Sequence, residues 1–129
     1  MILLDTCAFI WDALAPAELS NEASAAIDRA SGDLLVCDIT FWEIAMLIKK
    51  QRLRIDDSAR GFIRLALQAR GYAIREISPE IAELSANLPT EIGNDPADRL
   101  IAATSILGQA PIVTADRRLR ESPLVETIW

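Results

Sequence analysis

Four carboxylates, Asp5, Glu43, Asp98 and Asp116, each follow an apolar run with the character of a strand or open the helix after one. The chain contains no histidine to share their chemistry. Acids gathered at one place raise one another's pKa, so a cluster of them requires a counter-ion. Oxygen-only ligands of this type suit magnesium or manganese better than zinc. The pattern therefore points to a hard divalent cation, provided that the fold brings the four acids together.

The alternation of elements supplies that condition. Apolar runs at Ile2–Leu4, Leu34–Cys37, Ala73–Ile77, Ile112–Thr114 and Leu124–Ile128 read as strands, the last short enough to be an edge. Between them, helical periodicity predicts helices over Cys7–Leu14, Ser20–Ala30, Thr40–Lys50, Asp57–Arg70, Pro79–Leu88 and Pro96–Leu107, with a short turn after Asp116. Gly32, Gly71 and Gly108 suit helix C-terminal stops, and Ser78-Pro79 and Asp95-Pro96 suit helix starts. Strands separated by helices imply an α/β fold, a three-layer α/β/α arrangement around a mainly parallel sheet of about five strands. In such sheets ligands collect beyond the carboxyl ends of the strands, where all four acids are expected.

Each acid also has a purely structural role open to it. Thr40-Phe41-Trp42-Glu43 has the form of a capping box, in which Glu43 would reach back to the Thr40 backbone N–H. Asp95 suits an N-cap and Asp98 the first turn of the same helix, where negative charge complements the dipole. Asp116 suits the cap of a short helix. Asp5 is the hardest to explain structurally, because it ends an apolar strand where a charge is poorly solvated unless something binds it.

Composition fits one domain over residues 1–129: at 51% hydrophobic, the chain can bury roughly two-thirds of its unfolded surface. The net charge of −6 argues against general nucleic-acid affinity, but several of the acids belong to the proposed site and the basic residues are clustered. Cys7 and Cys37, without histidine, make neither a zinc site nor a disulfide framework and read as reduced core residues. No run has the length of a membrane span and no secretory pattern opens the sequence, so a soluble cytoplasmic protein is expected.

The sequence resembles the PIN-domain ribonucleases, and among them the VapC-type toxins of bacterial toxin–antitoxin pairs. The resemblance rests on Leu3-Leu4-Asp5-Thr6, on Ile39-Thr40-Phe41-Trp42-Glu43-Ile44-Ala45, and on Asp95-Pro96-Ala97-Asp98-Arg99-Leu100-Ile101-Ala102-Ala103 followed by Val113-Thr114-Ala115-Asp116. It implies that Asp5, Glu43, Asp98 and Asp116 form a Mg2+ or Mn2+ site that cuts RNA, with Thr6, Thr114 and Asp95 in support. It also implies a homodimer silenced by a cognate antitoxin protein. Three departures stand out: Gly93 where members often carry histidine, Asp38 in place of a small residue, and Gln51 where a helix-ending glycine is common.

A cation held by Asp5, Asp98 and Asp116 would activate water for phosphodiester hydrolysis. Without histidine, water attack is favoured over attack by the ribose 2′-hydroxyl, so products should carry 5′-phosphate and 3′-hydroxyl ends. Arg99, Arg117 and Arg118 are the candidate RNA contacts. The cluster of Lys49, Lys50, Arg52 and Arg54 is expected to point away from the pocket. Phe9, Trp11, Phe41 and Trp42, with neighbouring aliphatics, offer an apolar surface for a dimer or antitoxin groove. Two other classes remain open: a phosphoaspartyl phosphatase using Asp5, which would want an acid where Cys7 stands, and a catalytically silent binding module of the same fold.

Overall fold

The computed structural model describes all residues from Met1 to Trp129. Five parallel strands, β1 (Ile2–Leu4), β2 (Leu34–Cys37), β3 (Ala73–Arg75), β4 (Ile112–Val113) and β5 (Thr127–Ile128), form one sheet in the order β3-β2-β1-β4-β5. Seven α-helices connect or follow them: α1 (Thr6–Leu14), α2 (Asn21–Arg29), α3 (Ile39–Lys49), α4 (Ala59–Arg70), α5 (Pro79–Asn87), α6 (Pro96–Gly108) and α7 (Arg117–Glu121). Every pairing is parallel, with Leu3 opposite both Leu35 and Ile112.

Side chains of a strand alternate between faces, and the central strands supply two separate cores. Ile2, Leu4, Leu34 and Val36 pack on one face with Ala8, Phe9, Ile27, Ile44 and Phe62 from α1 to α4. Leu3, Leu35, Cys37 and Ile112 pack on the other with Ile81, Ile101, Ala102, Ala103 and Leu119 from α5 to α7. The result is the expected three-layer sandwich, and strand order reverses at β1, between β2 and β4. No helix is long and apolar enough to cross a membrane.

Boundaries differ from expectation where side chains replace backbone pairing. β3 ends at Arg75 because the Ile77 N–H donates to the Asp38 carboxylate (3.3 Å) instead of to a strand. α4 starts at Ala59, where Ser58 accepts the Gly61 N–H (3.0 Å). α3 starts at Ile39, one residue earlier than expected, so Thr40 lies inside the helix and the capping box does not form. Gly71 does close α4 in the left-handed conformation (φ 69°), but α6 runs through Gly108 and Gln109 takes that role (φ 51°).

Gln51 also lies in the left-handed region, at φ 58°, after the C-cap of α3. A β-carbon there costs about 1–2 kcal/mol, of which glycine's greater unfolded-state freedom offsets roughly half. Gln51→Gly is therefore expected to raise stability by about 0.5–1 kcal/mol in urea unfolding. A lower stability would mean that the Gln51 side chain makes stabilising contacts.

Candidate functional site

The acids meet where β1 and β4 end side by side. The Asp5 N–H still pairs with the Val113 carbonyl (3.2 Å), but α1 begins at Thr6, and the Asp5 Oδ1 turns to accept the Ala8 N–H (2.8 Å) as its N-cap. Only 7% of Asp5 is exposed. Just past β4, Thr114 is fully buried, and its hydroxyl oxygen accepts the Asp116 N–H (2.9 Å). Thr114 thus holds the backbone of Asp116 in place, and its hydroxyl favours the charged form of Asp5. Asp116 caps α7 by accepting the Leu119 N–H (3.0 Å).

Two helices add the remaining acids. On α3, Glu43 Oε1 accepts the hydroxyl of Thr6 in a very short hydrogen bond, so Glu43 faces α1 and not the backbone of Thr40. A hydroxyl has one proton to give. The buried Thr40 hydroxyl, 3.0 Å from that of Thr6, therefore donates to it and completes a relay from Thr40 through Thr6 to Glu43. On α6, Asp95 accepts the Ala97 N–H (2.9 Å), Pro96 fills the first helical position, and Asp98 follows in the first turn.

Electrostatics shows how close these groups lie. The Asp98 carboxyl is pushed up to about 7, first by burial and then by the charges of Asp95, Asp116, Glu43 and Asp5, with no hydrogen bond to offset them. Burial also raises Asp5, opposed by Thr114 and Ala8, and Asp116 adds to the rise. Glu43 is raised by burial, opposed by Thr6, and raised further by Asp95 and Asp5. Cys7, expected in the core, is exposed at this mouth, and its thiol is pushed up to about 11 by desolvation and then by the fields of Asp5, Glu43, Asp98 and Asp116. One thiol that senses all four acids marks them as a single cluster.

None of the four ion pairs in the chain involves a cluster acid. The donor set fits a hard cation, all oxygen and without a protein counter-charge. No three of the acidic or thiol side chains stand within ligating distance of a common point. Asp5 and Asp116, as caps, and Glu43, through Thr6, each commit one oxygen to a neighbour, and like charges without a counter-ion repel one another.

The candidate RNA contacts and the early aromatics occupy different surroundings. Arg99 is not a free RNA contact. Its guanidinium donates to the carbonyls of Ser85 (2.9 Å), Gly93 (2.9 Å), Pro89 (3.2 Å), Ala86 and Leu88, which binds the end of α5 and the following loop to α6. Arg117 pairs with Glu121 (2.7 Å) in solvent, an interaction of small energetic weight. Arg118 lies across Gly93, whose φ of 101° and missing side chain leave room for it; an added β-carbon would come within 2.9 Å of Nη1. Of the early aromatics, Phe9 is buried against Tyr72, Trp11 packs on Trp129, Phe41 joins the core, and only Trp42 is well exposed, at 60%. Thr40 is the supporting residue that sequence reasoning missed, because its place before Glu43 imitates an N-cap.

The PIN domain family matches residues 2–123. The chain belongs to that family. It is also 36% identical to ribonuclease VapC22 of Mycobacterium tuberculosis over 99% of this chain and 98% of that one. Among solved structures, a toxin–antitoxin complex from Klebsiella pneumoniae is similar at TM-score 0.67 and 25% identity, covering 95% of this chain and 93% of its own. VapBC2 from Rickettsia felis, solved bound to a DNA fragment from its promoter, shares the fold at TM-score 0.73 and 17% identity, over 98% and 97% of the two chains. The PIN-domain sheet thus accounts for the reversal of strand order at β1 and for acids gathered at its carboxyl edge.

The charge on Asp98 opposes folding. Its carboxyl holds a proton to about pH 7 in the native state, against an ordinary value of 3.8 in the unfolded chain, so stability falls as pH rises through that window. Asp98→Asn is expected to raise the melting temperature of metal-free protein, by about 1–3 kcal/mol of stability at neutral pH after allowance for solvent screening. The advantage should be small near pH 4 and level off above pH 7, as read from calorimetric melts across pH. A variant less stable than wild type at every pH would instead make Asp98 a simple first-turn helix charge.

Proposed function

We propose that this PIN-domain chain is the ribonuclease toxin of a toxin–antitoxin pair, a single nuclease domain over residues 1–129 that hydrolyses RNA phosphodiesters with Mg2+ or Mn2+. The observation that carries the reading is an all-oxygen acid cluster, Asp5 buried and Glu43, Asp98 and Asp116 half-buried, none of them in an ion pair, in a chain 36% identical to a named ribonuclease. The toxin–antitoxin complex from Klebsiella pneumoniae, similar over 95% of this chain, supports a cognate antitoxin as partner, and a homodimer is the assembly expected with it.

In this reading Asp5, Asp98 and Asp116 hold the ion. When bound, it supplies Lewis-acid activation of water and offsets charge developing on the phosphate. The chain's own residues do the rest. The Ala8 N–H fixes the Asp5 carboxylate, and Thr114 orients Asp116 through its backbone. The Thr40–Thr6 relay fixes Glu43 Oε1 and leaves Oε2 to accept a proton from the attacking water, a task helped by the raised pKa of Glu43. Asp95 holds α6 in place and, by its charge, keeps both Glu43 and Asp98 basic.

Losing even a supporting partner at a metal site typically lowers function about 10–100-fold. Asp5→Asn, which keeps size but removes the charge, should reduce magnesium-dependent RNA cleavage by more than that and abolish growth arrest on expression, with the circular dichroism of the fold retained. Wild-type cleavage by the purified variant would remove Asp5 from the site. Glu43→Gln can still accept the Thr6 hydroxyl, so its stability should change little, while kcat falls about 10²–10⁴-fold with KM nearly constant. Normal turnover would leave Glu43 with a packing role only.

A further inference from the structure

A groove of about 720 Å³ leads away from the acid cluster between α3 and the start of α6. Glu43 and Asp95 line its inner end, Trp42 and Met46 its wall, and Lys50 and Arg52 its outer end. Trp42, Met46 and Lys50 recur every four residues and so form one stripe along α3. The helix carries this stripe about 10 Å from Glu43, room for about three stacked nucleotides. Lys50 and Arg52, expected to point away from the site, therefore face a channel that opens on it, and neither is engaged in an ion pair.

We propose that this groove is the track for single-stranded RNA flanking the cleaved bond, with a base stacked on the Trp42 indole and backbone phosphate held by Lys50 and Arg52. The inference rests on the ribonuclease reading above and adds to it where the substrate runs. An exposed indole beside unpaired cations is the combination that binds single strands without reading their sequence. A second copy of the chain fits less well: covering this face would bury Lys50 and Arg52 without partners, and a net charge of −6 on each copy opposes the approach of two acidic mouths. Exposure of 60% at Trp42, in a chain whose other early aromatics are packed away, leaves a stacking platform free.

The test uses fluorescence anisotropy with a labelled, mixed-sequence, single-stranded oligoribonucleotide, on an Asp5→Asn background in magnesium so that the probe is not consumed. Adding Trp42→Ala should weaken binding about tenfold or more, and Trp42→Phe should retain most of it. Adding Lys50→Ala with Arg52→Ala should lower the slope of log affinity against log salt by about 0.7 for each phosphate no longer neutralised. Arg60→Ala on α4 serves as the charge control and should change little. Unchanged affinity and slope in the groove variants overturn the track. So does a Trp42→Ala protein that sediments as a monomer where the parent is a dimer while its RNA affinity is unchanged, since the groove would then be a subunit interface. Cleavage of the same RNA by wild type is measured separately: its failure counts against the ribonuclease reading, whereas cleavage with unaltered binding in the groove variants counts against the track alone.

Discussion

Negative charge gathered at the carboxyl edge of the sheet, with no protein cation to balance it, is the constraint around which the surrounding structure is arranged. Asp5 is almost wholly withdrawn from solvent, and its burial and the nearby Asp116 together raise its pKa. Such a group survives in a fold only if hydrogen bonds support the charged form or a cation arrives to share it. The chain provides the first through the Ala8 N–H, aided by the nearby Thr114 hydroxyl, and leaves the second to a ligand. Asp98 has no hydrogen bond and is held near a pKa of about 7, so the cluster remains under electrostatic stress that ion binding would relieve.

The same residues build the fold and the site, which explains why the helices start where they do. Asp5, Asp95 and Asp116 are the N-caps of α1, α6 and α7. Each cap places a carboxylate at a helix N-terminus, where the dipole partly compensates the charge, and each uses one oxygen while leaving the other for chemistry. Thr6, Thr40 and Thr114 work similarly, as buried hydroxyls that satisfy themselves by positioning acids. Ala102 and Ala103, fully buried on α6, permit that helix to pack closely on the sheet and bring Asp98 to its edge.

Much of this is legible in the sequence because it depends on local rules. Short apolar runs mark the central strands, and Ser78-Pro79 and Asp95-Pro96 mark helix starts that the structure reproduces. That the four acids lie toward the carboxyl edge of one sheet is what the parallel α/β pattern leads one to expect. What is not legible depends on tertiary partners. Thr40 and Glu43 have the spacing of a capping box, and only the presence of Thr6 on α1 makes them a relay instead. Arg99 has the character of a surface cation until the carbonyls of the α5 loop surround it. Lys50 and Arg52 lie past the end of α3, and that they line one groove with Glu43 and Asp95 depends on α6 packing beside α3. Cys7 lies at the mouth and not in the core because apolar neighbours in sequence do not fix which face of α1 a residue occupies.

The central claim is that the acid cluster holds a divalent cation although its side chains, as they stand, are spread too far apart to ligate one together. Anomalous diffraction from crystals grown with manganese tests this directly. The account predicts an anomalous peak within coordinating distance of Asp5, Asp98 and Asp116, with the uncommitted oxygens of Asp5 and Asp116 drawn toward it. Well-diffracting crystals in millimolar manganese with no peak at the cluster, or with a peak elsewhere and none among these acids, would contradict it.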